Sequence, residues 1–269
     1  MQFDKYEATG NDFLLFKTLP NSPDLIAKKV CDRHFGIGAD GLIAPVPSSK
    51  ATIGMRYFNS DGSEAPMCGN GMRTFVRFLL NENIVDVKQF TVETKGGIIA
   101  ITVHDDDTIA LGLGDLTTRH DAPDVSEPTT LHDPITLNVN DRAYPIHITT
   151  LGTLHGVVFV TDYAGFDFHD VGHQLSTHPF FPRHININFV RIIDAENIEV
   201  RTYERGAGAT LSCGTGVGAS AALAHYIKGC QDTIAVEVPG GTLTVNVAST
   251  ITLKGPAKHI ATIAYKGAI

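Results

Sequence analysis

Residues 56–72, RYFNSDGSEAPMCGNGM, align without a gap onto residues 201–217, RTYERGAGATLSCGTGV. At a constant offset of 145, Arg56 falls on Arg201, Asn59 on Glu204, Cys68 on Cys213, Gly69 on Gly214 and Gly71 on Gly216. Each copy runs from a polar strand end through a glycine-rich approach to a cysteine and then into a helix; in the first, Met72, Phe75, Phe78 and Leu79 recur at the spacing of an apolar helical face. A lone C-G-x-G arises easily by chance. The same cysteine with the same strand end before it and the same helix after it does not. The chain is therefore expected to fold as two similar halves, each presenting a cysteine at the N-terminus of a central helix.

The rest of the chain fits this frame. Stretches such as QFTVETKGGIIAITVHDDDTIALGLGD and TIAVEVPGGTLTVNVASTITLKG alternate apolar and polar residues around turn residues, as hairpins do. Helices are expected near 22–34, 70–83, 166–176 and 214–229, the last alanine-rich and closed by Gly229. The polar segment HDAPDVSEPTT at 120–130 reads as a connector, with a boundary near 115. At 269 residues, 43% of them hydrophobic, the chain is long enough for one large or two ordinary domains. Its formal charge of −8 is spread without a basic patch, so nucleic acid is not an expected partner. The N-terminus lacks a signal-like apolar core and no segment nears eighteen consecutive apolar residues, so neither a membrane anchor nor export is expected and the cytoplasm is the expected location. Four scattered cysteines without a C-x-x-C give no disulfide framework and no zinc-ribbon motif. His169 and His173 stand one helical turn apart, but no Glu follows the first as the zincin pattern requires, and no metal site is expected.

A thiol at a helix N-terminus lies where unpaired N–H groups and the helix dipole favour an anion, be it the thiolate, a bound carboxylate or both. A buried packing cysteine is the alternative reading of one such residue. Two of them, on halves facing one cleft, suit the inversion of a stereocentre by proton transfer, which needs a base on one face of a carbon and an acid on the other. With reference pKa values of about 8.5 the pair would titrate as a coupled unit, one thiolate and one thiol at a time. A small carboxylate-bearing ligand is the expected occupant of such a cleft.

The segments ATGNDF, RHFGIGADG, YFNSDGSEAPMCGNG, NINF and YERGAGATLSCGTG, in this order over essentially the whole chain, resemble the diaminopimelate epimerase family. The resemblance implies an α/β (α+β) fold of two pseudo-symmetric domains, each a β-barrel-like sheet around a central helix, with the active site in the cleft between them. The halves would be 1–114 plus 259–269, the last strand returning to the first domain, and 115–258. It further implies a pyridoxal-independent isomerase, without cofactor, that interconverts LL- and meso-diaminopimelate for lysine and cell-wall precursor synthesis. Cys68 and Cys213 would be the acid and base, with His155 and Glu204 tuning them. Gly69, Asn70, Gly214 and Thr215 would bind the reacting α-carboxylate. Asn11, Asn59, Asn186, Glu204 and Arg205 would hold the rest of the substrate, Glu204 meeting an ammonium and Arg205 a carboxylate. Cys31 and Cys230 match neither motif and read as packing residues. A homodimer is compatible with a sequence otherwise silent on assembly.

One departure touches the substrate. In LGTLHGVVFV, Thr153 and Leu154 stand where the family usually has Asn and Pro, and that asparagine helps bind the distal end of diaminopimelate. A racemase acting on another amino acid, such as histidine, and a redox dithiol protein are the rival readings. Gly41, where some members have Gln, varies within the family.

Overall fold

The structure, a computed structural model, describes residues 1–121, 123–165 and 167–267. Ala122 in the expected connector, Phe166 at the head of the expected third helix, and Ala268 and Ile269 in the expected returning segment lie outside the described residues. The chain divides into two compact units, Met1–Gly112 with the segment from Lys254 onward, and Leu113–Leu253.

The first unit contains β1 (Gln2–Ala8), β2 (Asn11–Leu15), α1 (Pro23–Val30), β3 (Gly41–Val46), β4 (Ile53–Asn59), β5 (Glu64–Ala65), α2 (Gly69–Asn81), β6 (Gln89–Thr94) and β7 (Gly97–Val103), and β8 (Ile109–Gly114) runs out of it. β1 and β2 form a hairpin, β2 lies parallel to β3, and β3 pairs antiparallel with β4. β4 also pairs with β5 and, in parallel, with β6, which continues into the β6–β7–β8 meander.

In the second unit follow β9 (Arg119–His120), β10 (Thr129–Thr130), β11 (Ile135–Val139), β12 (Arg142–Leu151), β13 (Thr153–Phe159), α3 (Phe168–Ser176), β14 (Asn186–Ile192), β15 (Asn197–Glu204), β16 (Gly208–Thr210), α4 (Gly214–Lys228), β17 (Thr233–Val238) and β18 (Gly241–Asn246). The chain then passes through β19 (Ile251–Gly255) to β20 (Lys258–Ala264). The pairings of β12 to β18 reproduce those of β1 to β7, including both parallel pairs, β13 with β14 and β15 with β17. β11 takes against β12 the place that β20 takes against β1. The duplication read from one short segment thus extends through each unit, and the last strand does return to the first.

In each unit the sheet curls around one helix, α2 against β1, β2, β3 and β20, and α4 against β12 to β15, β17 and β18. Met72, Phe75, Val76, Phe78 and Leu79 of α2 are fully buried, as their spacing requires. α4 fills its sheet with Val217, Ala219, Ala221, Ala222, Leu223 and Ala224, small side chains that let strands approach on every side. It ends at Gly229, whose φ of +74° is the left-handed closure that glycine makes without strain. α1 stops at Val30, four residues short of the expected end, because Asp32 Oδ1 captures the N–H groups of His34 and Phe35 at 2.8 and 2.7 Å in a turn. α3 starts at Phe168 because Asp167 caps it, accepting from the N–H groups of His169 and Asp170. No helix among the described residues is long and apolar enough to cross a membrane.

Truncating α2 tests where stability resides. Phe78→Ala, at 0% exposure, should cost about 3–5 kcal/mol in urea-unfolding free energy, whereas Phe35→Ala, at 89%, should stay within about 0.5 kcal/mol of the parent.

Candidate active site

Cys68 is the N-cap residue of α2, with extended backbone (φ −142°, ψ 122°) and a half-buried side chain. Its sulfur accepts the Gly71 N–H at 3.4 Å, so it lies among the unpaired amides of the first turn. Asn70, buried in the first turn, donates through Nδ2 to Asn11 Oδ1, and Asn11 Nδ2 donates to Asp40 Oδ2 at 2.9 Å. Asp40 is held by Arg33 at 2.8 Å, and Arg33 also grips Asp12, which pairs with Lys5 at 2.8 Å. Asn11 and Asn70 therefore sit together as one amide pair. Asn59 ends β4 opposite Gly41 of β3, and its Nδ2 donates to Ser63 Oγ at 3.0 Å across the β4–β5 turn.

In the second unit Cys213 caps α4 in the same extended conformation (φ −122°, ψ 109°) but is buried. Burial and the neighbouring Glu204 carboxylate push its thiol well above the usual cysteine range, against the smaller pull of the Gly216 N–H and the Thr215 hydroxyl. Glu204 Oε1 also accepts from Thr210 Oγ1 at 2.7 Å. His155, fully buried on β13, meets Thr153 Oγ1 at 3.0 Å and Thr215 Oγ1 at 3.1 Å through Nε2, and Asn188 Nδ2 at 3.2 Å through Nδ1.

Asn188 decides the tautomer. Its Oδ1 accepts from Thr202 Oγ1 at 2.9 Å, and its Nδ2 faces the Gly156 carbonyl at 3.3 Å, a position only an N–H can take. His155 Nδ1 must then accept and the proton sits on Nε2, facing both threonine hydroxyls. With Thr215 Oγ1 receiving that proton, its own hydrogen is left for Cys213 Sγ, 3.6 Å away. Burial, with the positive charge of Arg205 behind it, holds the imidazole neutral and lowers its pKa to about 3.

Asn186 joins this network, donating to Thr153 Oγ1 at 3.2 Å and accepting the Arg205 N–H at 2.9 Å. The Arg205 guanidinium is exposed and touches the Arg183 carbonyl at 3.1 Å. His155, Asn186, Thr215 and Cys213 are thereby linked through Thr153, with Glu204 beside the sulfur. All four cysteines are free thiols. Cys31 and Cys230 are buried, and Cys31 is pushed up to about 12 by desolvation and by the Asp12 and Asp40 carboxylates, as suits a packing residue.

Asn188, Thr202 and Asp40 escaped the sequence reading, as did Arg73 of α2, which is buried and donates to Asn70 Oδ1 at 2.9 Å. Asn188 was accessible in principle: in NINF it follows Asn186 by two residues, which places both on one face of β14. Thr202 left no signal, since it acts through Asn188, and Asp40, though it lies with its partner Arg33 in the segment RHFGIGADG, reaches Asn11 only across the fold.

These features define a duplicated fold with one central helix per half, each capped in this chain by a cysteine. The duplicated fold alone is shared with a PhzF-family phenazine biosynthesis protein of Bacillus anthracis (TM-score 0.68, 18% identity, 98% of each chain covered). It is shared also with a probable proline racemase of Agrobacterium radiobacter K84 (TM-score 0.69, 14% identity, 98% of this chain and 92% of that one). The family profile for diaminopimelate epimerase matches residues 3–118 and 148–260. The diaminopimelate epimerase of Alkaliphilus metalliredigens is 37% identical over 97% of this chain and 95% of its own length. That of Carboxydothermus hydrogenoformans is 36% identical over 99% and 98%. The chain belongs to the diaminopimelate epimerase family, a family of isomerases.

The two C-G-x-G segments differ in tolerance. A Cβ on Gly216 would stand 2.3 Å from Asn188 Oδ1, while one on Gly71 would meet the mobile tip of Ile43 at 3.0 Å. Gly216→Ala should lower stability by about 1–3 kcal/mol in urea unfolding, and Gly71→Ala by less. A second expectation concerns pH. The His155 pKa is lower folded than unfolded, so its contribution is complete above about 6.5 and is lost as pH falls towards about 3. Urea-unfolding free energy measured between pH 7 and 4 should fall with acid, and His155→Gln should flatten that slope.

Proposed function

We propose that this chain is an epimerase that interconverts LL- and meso-diaminopimelate by two-base proton transfer at Cα, with Cys68 and Cys213 as the acid/base pair. The observation that carries the proposal is the recurrence of one thiol at the N-terminus of the central helix in both halves, in a chain matching diaminopimelate epimerases over nearly its full length. Removal of the α-proton by one sulfur and return by the other inverts the centre; the sulfurs exchange roles in the reverse direction. A thiolate alone is too weak a base for an amino-acid α-proton, so the carbanionic charge spreading onto the α-carboxylate needs preorganised N–H dipoles. The amides of Gly69, Asn70, Gly214 and Thr215 begin the two helices and are the donors in this reading. No cofactor enters the scheme, and four free thiols suit the reducing cytoplasm, where lysine and cell-wall precursors would be made.

For the distal end of the substrate, Glu204 would meet the ammonium and Arg205 the carboxylate, with Asn11, Asn59 and Asn186 completing the set. Thr153 Oγ1 accepts from Asn186 Nδ2 and faces the protonated Nε2 of His155, to which it cannot donate. Where relatives bring an amide, this chain therefore offers at most a hydroxyl hydrogen. Losing one contact to a charged group weakens binding by about 1.5–3 kcal/mol without altering the chemistry. The same threonine is what favours the second reading, a racemase of a different amino acid.

Incubation with LL-diaminopimelate in deuterated water should place deuterium at Cα of both isomers, and Cys68→Ala or Cys213→Ala should each abolish inversion; full activity in either variant excludes the two-base scheme. Arg205→Ala should lower kcat/KM for diaminopimelate severely, and Thr153→Asn should leave or raise it. A wild type that prefers histidine, with turnover lowered by Thr153→Asn, would transfer the assignment to the second reading.

A further inference from the structure

The second half buries polar side chains where the first buries apolar ones. β13 sets His155 opposite Asn186, β2 sets Phe13 opposite Gly41, and Asn186 and Gly41 stand at the offset of 145. Phe13 therefore occupies the place of His155. By the same registers Ile43 takes the place of Asn188, and Tyr57, its partner on β4, that of Thr202. All six side chains are buried.

In the first half the trio is a hydrophobic cluster. The Phe13 and Tyr57 rings meet edge to face at 5.8 Å, and Phe13 and Ile43 close on Gly71, where an added Cβ would meet them at 3.5 and 3.0 Å. In the second half Asn188 closes on Gly216, its Oδ1 2.3 Å from where a Cβ would stand. An apolar trio supports a helix start while burying fewer polar atoms, so the polar trio does something besides packing.

Its hydrogen bonds run in one direction. Thr202 Oγ1 donates to Asn188 Oδ1 at 2.9 Å, Asn188 Nδ2 donates to His155 Nδ1 at 3.2 Å, and His155 Nε2, which carries the ring proton, faces Thr215 Oγ1 at 3.1 Å. Thr153 Oγ1 shares that proton at 3.0 Å and itself accepts from Asn186 Nδ2, so neither threonine can donate to the ring. The Thr215 hydrogen is left for Cys213 Sγ at 3.6 Å. With one ring nitrogen accepting and the other already protonated, His155 cannot draw a proton from Cys213 through that hydroxyl. It can only support charge on the sulfur, and hydrogen bonds aligned in one direction polarise one another. Of the charged groups on the strands around α4, Arg191, Glu199 and Arg201 pair with one another, Glu204 stands beside the sulfur, and the Arg205 charge helps keep the imidazole neutral.

We propose that Asn188, held by Thr202, is a positioning residue for Cys213: it fixes His155 as a neutral donor, so that the Thr215 hydroxyl turns its hydrogen to the sulfur and stabilises the thiolate. This rests on Cys213 being one of the acid/base pair.

The test reads the tautomer and the thiol apart from turnover. Nitrogen-15 spectra of the imidazoles should show His155 protonated on Nε2 and bare on Nδ1, unchanged from neutral pH to about 5 because its pKa lies at about 3. Iodoacetamide alkylation at neutral pH, followed peptide by peptide by mass spectrometry, should slow at Cys213 by about three- to tenfold in Asn188→Leu and in Thr215→Val. One pKa unit cuts the thiolate fraction tenfold, and the more basic sulfur recovers part of that in nucleophilicity. Thr215→Ser, which keeps the hydroxyl, should retain most of the wild-type rate. Cys230, buried in the same half, gauges loosening, since a merely disturbed structure would expose both thiols and speed both reactions. The double variant is decisive: with valine at 215, Asn188→Leu should slow Cys213 no further. A proton on His155 Nδ1 in the wild type, a Cys213 rate that Asn188→Leu leaves unmoved, or additive slowing in the double variant overturns the proposal. Should Asn188→Leu fail to fold, the wild-type tautomer and the two Thr215 variants decide. Absence of deuterium exchange into diaminopimelate beside the expected tautomer and alkylation pattern would sink the epimerase reading alone.

Discussion

Each half is organised by the need to satisfy a helix start buried inside a sheet. The first N–H groups of α2 and α4 have no partners within their helices, and both helices are packed against strands on several sides. The sequence meets this with one small polarizable side chain and a glycine on either side of the second residue after it, so that backbone donors cluster around a sulfur. Everything described as the candidate site hangs on those two ends. Asn11, Asn70, Thr215 and His155 are significant because of what they bring to a capped amide cluster.

Duplication supplied the frame and divergence supplied the chemistry. Strand pairings, helix positions and cysteine conformations agree between the units, whereas the polar residues next to the sulfurs do not. A buried arginine bonded to an asparagine pair follows the cap in the first half; a neutral histidine, a threonine hydroxyl and a glutamate attend Cys213 in the second. The divergence leaves both backbones undisturbed.

How much of this the sequence announces depends on the range over which each signal acts. The repeat, the cysteine-capped helices and the hairpins were legible because they rest on local periodicity and turn chemistry. The end of α1 was misjudged because a single Asp32 side chain outcompetes helical continuation, a contest that apolar spacing does not register. Arg73 was overlooked because a charge among Met72, Thr74 and Phe75 reads as the solvent face of an amphipathic helix, and α2 has almost none. The role of Thr153 needed coordinates, since its partners lie two and thirty-three residues away, and the first of them, His155, reaches Thr215 a further sixty along the chain.

The pairing of β1 with β20 carries a consequence for biosynthesis. The first strand leaves the ribosome early, but one of its two neighbours is made only after the whole second unit, which is inserted between Gly112 and Lys254. At usual elongation rates that delay is on the order of ten to fifty seconds. Throughout it one edge of β1 is open, while the second unit, continuous in sequence, has all its own strands available before its host is complete. The insert is thus free to fold first, and the nascent host is the part that a chaperone or a neighbouring chain would meet with an unpaired edge.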